Sequence, residues 1–486
     1  MSSTTEEPSS VLNEGLTHPS RRRVLGRQDV VSFIFLTMVG ATVTYFAAMG
    51  VSVVGWWILG CVLFLLPSSL IILELSTAYP YQGGIYDWVH RAFGRRMAAR
   101  TSYWYWVNVA LWLPSGYLLC TGGIVALGWS SATLFQQSLV CIALVWFTVA
   151  ISLMNLKVGK LITDVSSAAV VLLLLVTIIG SFVLYFHRGV AANHFSVHAM
   201  LPNFGSAKVY LPAMVTSFLG MELVASLAGE SRNPKKDMLW AVPITGVTLS
   251  VVQLLAIVGL LLVIPLKVLG LTTGMVVMYR SIFGGVSFII PWILGIILIG
   301  TIFTAILPWS LGTNRMAAEA ARNGELPGIF MKENSSGTPA GATVLMGIVT
   351  TGVLLFAGIF LKTENNLFYA LFAAASAVTI LPRLLMYSAI VRLRQFDPIL
   401  ERPFRIPGGR IGLWTCVVLS TGGVLSSLVL FLWTPGSPIA WGYTGPLLVV
   451  FLGAVGVGEI ITSWCVKRSG LLPPPSASVD EGYGAI

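Results

Sequence analysis

The chain has 486 residues, of which 56% are hydrophobic and only 10% charged, with a mean hydropathy of +0.85. Soluble globular domains carry about 25% charged residues, so this balance excludes a soluble domain and points to an all-α polytopic protein of the lipid bilayer. The formal charge of +10 is read from where the charges fall before it is assigned to any partner.

In chain order, residues 1–28 are polar, rich in Ser, Thr and Glu, and hold no apolar core of the signal-peptide kind. They read as a disordered cytoplasmic tail. Twelve apolar stretches of about 20 residues or more follow, each able to cross a bilayer: 30–51, 54–77, 102–127, 134–155, 163–186, 209–228, 239–264, 288–313, 340–361, 366–391, 411–433 and 440–464. The chain closes at 467–486 with a second polar tail carrying a Pro-Pro-Pro run. With the N-terminus inside, every lysine and arginine except Arg188, Lys208, Lys267, Arg280 and Lys362 lies on or near the cytoplasmic side. That asymmetry is the positive-inside rule. It accounts for the net charge without a nucleic-acid partner and places a multi-pass protein in a cell membrane, plasma or inner, with both termini cytoplasmic. Cys61, Cys120, Cys141, Cys416 and Cys465 fall within or at the ends of spans with no CxxC and no histidine at metal spacing, so neither a disulfide framework nor a metal site is expected. No cofactor is implied.

Two spans are interrupted at corresponding places. The first carries Met38-Val39-Gly40-Ala41-Thr42 at mid-span, and the sixth carries Thr216-Ser217-Phe218-Leu219-Gly220-Met221-Glu222. A glycine weakens a helix by about 1 kcal/mol relative to alanine, and in a membrane helix it serves either close packing or a break. Two matched positions, each with a hydroxyl neighbour, favour breaks. An odd offset of spans between them means that the two helices cross in opposite directions, which is the arrangement of an inverted repeat of five plus five helices with two more appended. The expected organisation is therefore a first repeat over 29–186, a second over 187–391, and the appended pair over 392–466.

Glu222 is the costly residue in this pattern. An acid at membrane depth is tolerated where it faces protein or water, and three roles are open for it: contact with a substrate ammonium, proton carriage, and bracing of the broken backbone. Arg383, in the inner third of span ten, needs a carboxylate or carbonyl partner that the sequence alone does not name. Trp309 follows Pro308 inside span eight and is a candidate for lining a cavity. Ser166 and Ser167 in span five are read as packing hydroxyls, with ion ligation beside helix-one carbonyls as the other possibility. Glu459 is expected at a lipid interface or a dimer contact, and His90, His187, His194 and His198 as solvated loop residues. Residues 272–286 read as a surface helix over the outer vestibule, and 316–322 as a short helix inside.

Four patterns recur in order: Pro80-Tyr81-Gln82-Gly83-Gly84-Ile85-Tyr86, Ala228-Gly229-Glu230-Ser231-Arg232-Asn233-Pro234-Lys235-Lys236-Asp237, Arg315 to Pro327 with Ala321-Arg322-Asn323-Gly324-Glu325-Leu326-Pro327, and Arg402-Pro403-Phe404-Arg405-Ile406-Pro407-Gly408-Gly409. At these residues the sequence resembles the amino acid–polyamine–organocation superfamily of permeases, and most closely its bacterial exchangers of glutamate/GABA or arginine/agmatine type. The resemblance implies a LeuT-type fold of twelve helices with helices one and six broken. It implies that Gly40, Ala41 and Thr42 meet the substrate's amino and carboxylate groups, that Phe218 is a gate, and that Glu222 lines or braces the site. Val39, Thr216, Ser217 and Gly220 at the two breaks and Trp309 in span eight complete the candidate substrate-binding residues. Two departures stand out. Gly40-Ala41-Thr42 lacks the third glycine of the family's first break, and Thr216 stands where arginine exchangers carry a tryptophan, which disfavours a bulky guanidinium substrate.

The function expected is secondary active transport of an amino acid or related amine by alternating access, as an antiporter or a proton symporter. The substrate, protons and the bilayer are the partners, and the protein is a monomer or a homodimer. Alternatives are a polyamine transporter of the same fold and a nutrient receptor that binds without transporting. No HExxH, GxSxG or paired aspartates occur in the spans, so an enzyme is not expected.

Overall fold

The structure is a computed structural model that describes residues 25–38, 43–81, 83–154, 156–202, 211–270, 273–360, 364–433 and 441–469. Among these residues the chain is helical throughout, and no strand forms beyond one isolated bridge between Leu25 and Ser231. In order the main helices are α1 (Arg27–Met38), α2 (Val43–Ala47), α3 (Val53–Ala78), α4 (Ile85–Phe93), α5 (Arg95–Leu127), α6 (Leu134–Ser152) and α7 (Leu156–Arg188). There follow α8 (Val197–Met200), α9 (Leu211–Ser217), α10 (Pro234–Val263), α11 (Gly274–Phe283), α12 (Ile289–Arg322), α13 (Ala340–Phe360), α14 (Glu364–Phe396), α15 (Gly409–Leu432) and α16 (Trp441–Arg468). Among the described residues nine helices are long and apolar enough to cross a bilayer. The other three sequence-predicted spans are the two interrupted ones and α13, whose qualifying apolar run is the shorter Ala340–Phe356. Sequence positions 39–42, the proposed first break, lie outside the described residues.

The interruption of the sixth span follows from the backbone. α1 is described as far as Met38 and α2 from Val43. α9 ends at Ser217, and the chain then continues as a tight 3-10 segment, Met221–Glu230, rather than as an α-helix. Elsewhere prolines are accommodated without a break: α5, α10, α12 and α14 run through Pro114, Pro243, Pro308 and Pro382. The most extensive packing is of α5 against α14 and α12, so α5 is the central post of the bundle. Small residues let helices approach closely, as membrane packing requires: a Cβ on Gly116 would meet Ile306 at 2.9 Å and one on Gly123 would meet Ile299 at 2.8 Å.

One end of the bundle collects the charges, and they pair across elements. Glu74, fully buried near the end of α3, accepts from Arg394 Nε at 2.7 Å and from the backbone N–H of Ile406 at 2.8 Å. The loop carrying Arg402-Pro403-Phe404-Arg405 is thereby fastened to α3. Arg402 reinforces it by donating to the carbonyls of Leu393 and Asp397, both at 3.1 Å, while Tyr79 donates to Asp397 at 2.7 Å. Burial pushes the Tyr79 phenol well above its ordinary value, and Asp397 adds to the shift. Glu325, also buried, accepts from Arg95 at 3.2 Å, and His90 Nε2 lies 3.2 Å from the same oxygen. Ser231 and the backbone N–H of Asn233 donate to Asp237 at 2.7 and 3.3 Å, which caps the first turn of α10.

Two expectations change at this end, and Glu459 gains a partner: it accepts from Arg100 at 2.6 and 2.5 Å while its side chain stays 42% exposed. His90 is packed against Glu325 instead of being solvated. Residues 316–322 are the buried continuation of α12, not a separate helix. Residues 274–283 do form the expected helix α11, with Met275, Val276, Met278 and Tyr279 buried beneath it.

Removing one partner of a buried ion pair costs about 3–5 kcal/mol, whereas exposed pairs contribute about 0–1 kcal/mol. Glu74→Ala is therefore expected to lower the thermal midpoint of the detergent-solubilised protein by several degrees. Glu459→Ala, whose carboxylate is 42% exposed, should shift it by a degree or two at most. Thermal size-exclusion profiles of the two variants side by side check the difference.

Candidate functional site

The site is built where the sixth predicted span breaks. Gly220 stands between α9 and the 3-10 segment with φ +115° and ψ −20°, a conformation that L side chains adopt at a cost and glycine adopts freely. Space makes the same demand: a Cβ there would lie 2.7 Å from Trp309 Cζ2 and 3.1 Å from the carbonyl oxygen of Thr37. Glu222, two residues on, folds back over the break. Its Oε2 accepts from the Gly220 backbone N–H at 2.9 Å. Its Oε1 accepts from the Tyr105 hydroxyl of α5 at 3.0 Å and from Arg383 Nη2 of α14. Glu222 and Arg383 are each only 1% exposed. Arg383 is held in turn by the Thr379 carbonyl at 2.9 Å, by the Thr379 hydroxyl, and by the face of Tyr105, whose ring centre lies 5.3 Å from Cζ.

The end of α1 comes to the same place. The Thr37 carbonyl, close to the last described residue of α1, accepts from Trp309 Nε1–H at 3.1 Å. Trp309 also lies against Trp112 of α5, ring centres 5.4 Å apart. The indole therefore stands between the end of α1, the Gly220 break and the central post. Trp106 Nε1–H donates to Asn314 at 2.9 Å, and Asn108 donates to the Ala375 carbonyl at 2.8 Å, so α5, α12 and α14 are bonded to one another around this point.

The sequence-predicted site residues divide accordingly. Gly220, Glu222 and Trp309 are brought together. Val39, Gly40, Ala41 and Thr42 lie outside the described residues. Thr216 and Ser217 are half-buried at the end of α9, where Ser217 donates to the Met214 carbonyl at 2.8 Å. The Phe218 ring packs edge-on against Trp57 of α3 at 4.9 Å, and a Cβ on Gly60 would touch it at 2.8 Å. Ser167 donates to the Ser32 carbonyl of α1 at 3.2 Å, tying α7 to the first helix. Tyr105 and the Thr37 carbonyl are the participants not expected from sequence. A buried phenol generally needs a hydrogen-bond partner, which was the available signal for Tyr105. Arg383 was expected to need a carboxylate, and Glu222 supplies it.

A sequence model of a family described as amino acid permease matches residues 25–457. The chain belongs to the amino acid permease family. Among its relatives, a probable agmatine/putrescine antiporter of Lactococcus lactis subsp. lactis (strain IL1403) is 30% identical over 383 residues, 78% of this chain and 81% of the relative. An uncharacterised transporter of Legionella pneumophila subsp. pneumophila is 26% identical over 396 residues, covering 79% and 84%. The glutamate/gamma-aminobutyrate antiporter of the same Lactococcus strain is 25% identical over 443 residues, covering 86% and 84%. As an amino acid permease the protein is a multi-pass membrane protein and a secondary transporter, and its family is one of carriers.

Two substitutions test the geometry. Gly220→Ala forces a side chain into a left-handed conformation and against Trp309, which costs about 1–3 kcal/mol of backbone strain. It should abolish substrate flux and lower the thermal midpoint. Trp309→Phe keeps the ring but removes the N–H that satisfies Thr37, a bond of about 0.5–1.5 kcal/mol. The expected result is a folded protein whose flux in proteoliposomes falls by roughly tenfold, since about 1.4 kcal/mol corresponds to a factor of ten.

Proposed function

We propose that this permease exchanges amino acids or related amines, or takes them up with protons, by alternating access around the Gly220 break. The observation that carries the reading is the break at Gly220 inside the bundle, bridged to α1 through Trp309 and Thr37, with a buried carboxylate braced beside it. Broken helices at membrane depth occur where backbone lines a binding cavity. The free groups at such breaks suit a substrate ammonium and carboxylate. The relatives named for agmatine/putrescine and for glutamate/gamma-aminobutyrate exchange support antiport and small amino-acid-like substrates.

In this reading the chain has twelve spans in a LeuT-type five-plus-five inverted repeat, the repeats being 29–186 and 187–391, followed by two appended helices over 392–466 and flanked by cytoplasmic tails. The broken helices one and six rock against a scaffold of helices three, four, eight and nine. Val39, Gly40, Ala41 and Thr42 face Gly220, Glu222 and Trp309 across the substrate, with Thr216 and Ser217 at the lip. Phe218, packed on Trp57, is the aromatic that moves when the broken helix moves. The protein works as a monomer or a homodimer in a cell membrane.

Purified protein in liposomes preloaded with unlabelled substrate should show saturable counterflow with at least one member of a panel of neutral, acidic and basic amino acids, putrescine and agmatine. Absence of flux with all of them removes the transport reading. Uptake by wild type and by Glu222→Gln over a range of pH separates proton carriage from bracing. If Glu222 carries the proton, the substitution flattens the pH profile; a profile that survives assigns Glu222 to bracing alone.

A further inference from the structure

A lone glutamate at a transport site invites a cationic substrate, and the surroundings of Glu222 argue the reverse. Its two oxygens already take three donors, from Gly220, Tyr105 and Arg383. Its charge is balanced within the protein by a guanidinium that is itself buried. What remains open belongs to the arginine: Arg383 Nε is buried and has no hydrogen-bond partner among the described residues. The pair therefore presents a buried donor, Arg383 Nε, with unused capacity, beside a carboxylate whose charge is already balanced. A buried N–H without an acceptor is costly, and an acceptor brought by the substrate, such as a carboxylate oxygen, relieves that cost.

We infer that Arg383 determines the charge class of the substrate, admitting amino acids of no net positive charge and excluding diamines and guanidino-amines. This inference rests on the transport reading above. A zwitterion entering beside a neutral pair leaves the site neutral. A diamine or agmatine brings uncompensated positive charge next to a guanidinium in a region of low dielectric, where like charges repel strongly. Displacing Arg383 from Glu222 does not solve this, because the displaced guanidinium stays buried, held by Thr379 and by the face of Tyr105. Arginine is suited to the task because it stays charged at any physiological pH.

The test is counterflow in proteoliposomes with labelled alanine, leucine and glutamine against labelled putrescine and agmatine. It is run on wild type, Arg383→Lys, Arg383→Met and the charge-balanced double variant Glu222→Gln/Arg383→Met. Wild type is expected to carry at least one of the neutral amino acids at least tenfold better than either amine. Arg383→Lys, which keeps the charge, retains that preference, and Arg383→Met shifts the ratio at least tenfold toward the amines by unmasking Glu222. The double variant, with no carboxylate to unmask, loses that shift. If Arg383→Met does not fold, wild type and Arg383→Lys still decide, since amine flux equal to neutral amino acid flux in either overturns the inference. Wild type that carries putrescine or agmatine as well as any neutral amino acid overturns the inference while leaving the transport reading intact. The same holds for Arg383→Lys gaining amine flux, or for Arg383→Met folding and transporting with an unchanged ratio. Absence of flux with every compound tested removes the transport reading, and the inference with it.

Discussion

A helix broken inside a bilayer leaves backbone N–H and C=O groups where no water of the hydrocarbon region reaches them, and each unsatisfied group costs several kcal/mol. Glu222 and Trp309 answer that constraint from opposite sides. Glu222 reaches back to the N–H of Gly220, and Trp309 reaches across to the carbonyl of Thr37. Each is held from behind, the carboxylate by Tyr105 and Arg383 and the indole by Trp112. Loss of Glu222 exposes the Gly220 N–H rather than merely removing a contact, and loss of Trp309 unties α12 from α1 beside that break.

The ionic network at the basic end does a different job. Glu74, Glu325 and Asp237 each bind a loop or a helix start to a neighbouring element. The four sequence patterns thereby acquire physical reasons. Gly84, at φ +54°, comes so near the 3-10 segment that a Cβ would lie 3.0 Å from the Ser226 nitrogen. Asp237 caps α10, Glu325 receives Arg95, and the Arg402 loop closes over Glu74. Tyr86 joins this layer as an acceptor, its phenol oxygen taking the Asn323 amide N–H at 2.9 Å, and burial with the nearby Glu325 raises that phenol well above its ordinary value.

Hydropathy and the charge asymmetry made the spans legible, because a helix in lipid must be long and apolar whatever its neighbours are. Gly220 and Glu222 were legible for the same reason: both are expensive in such a helix and need a cause. Arg383 was legible as half of a pair. Naming Glu222 as the other half required knowing that α14 and the 3-10 segment flank α5 at one depth, which is a matter of tertiary topology. Tyr105 was hidden because it sits in an aromatic-rich run, Tyr103-Trp104-Tyr105-Trp106, where any member suits an interfacial or a core position. His90 was misplaced, and the Arg100 partner of Glu459 went unnamed, because Glu325 and Arg100 come from distant segments.

The bonds around the break differ in what they demand of a moving protein. If the broken helices rock against a scaffold that includes α5 and α12, the contacts that cross the moving boundary at the site are those of Tyr105 with Glu222 and of Trp309 with Thr37. A hydrogen bond contributes about 0.5–1.5 kcal/mol net, more when one partner is charged, and each can be exchanged for a bond to substrate. The salt bridge to Arg383 is costlier to open, since separating a buried pair strands two charges. α14 is packed most extensively on α5 and is bonded to it through Asn108 and the face of Tyr105, so the Glu222–Arg383 pair anchors the segment after the break to the central post, and the two lighter bonds are the ones exchanged at least cost. The Glu74 contacts fasten α3, the neighbour of the broken helix through Trp57 and Phe218, to the far end of α14.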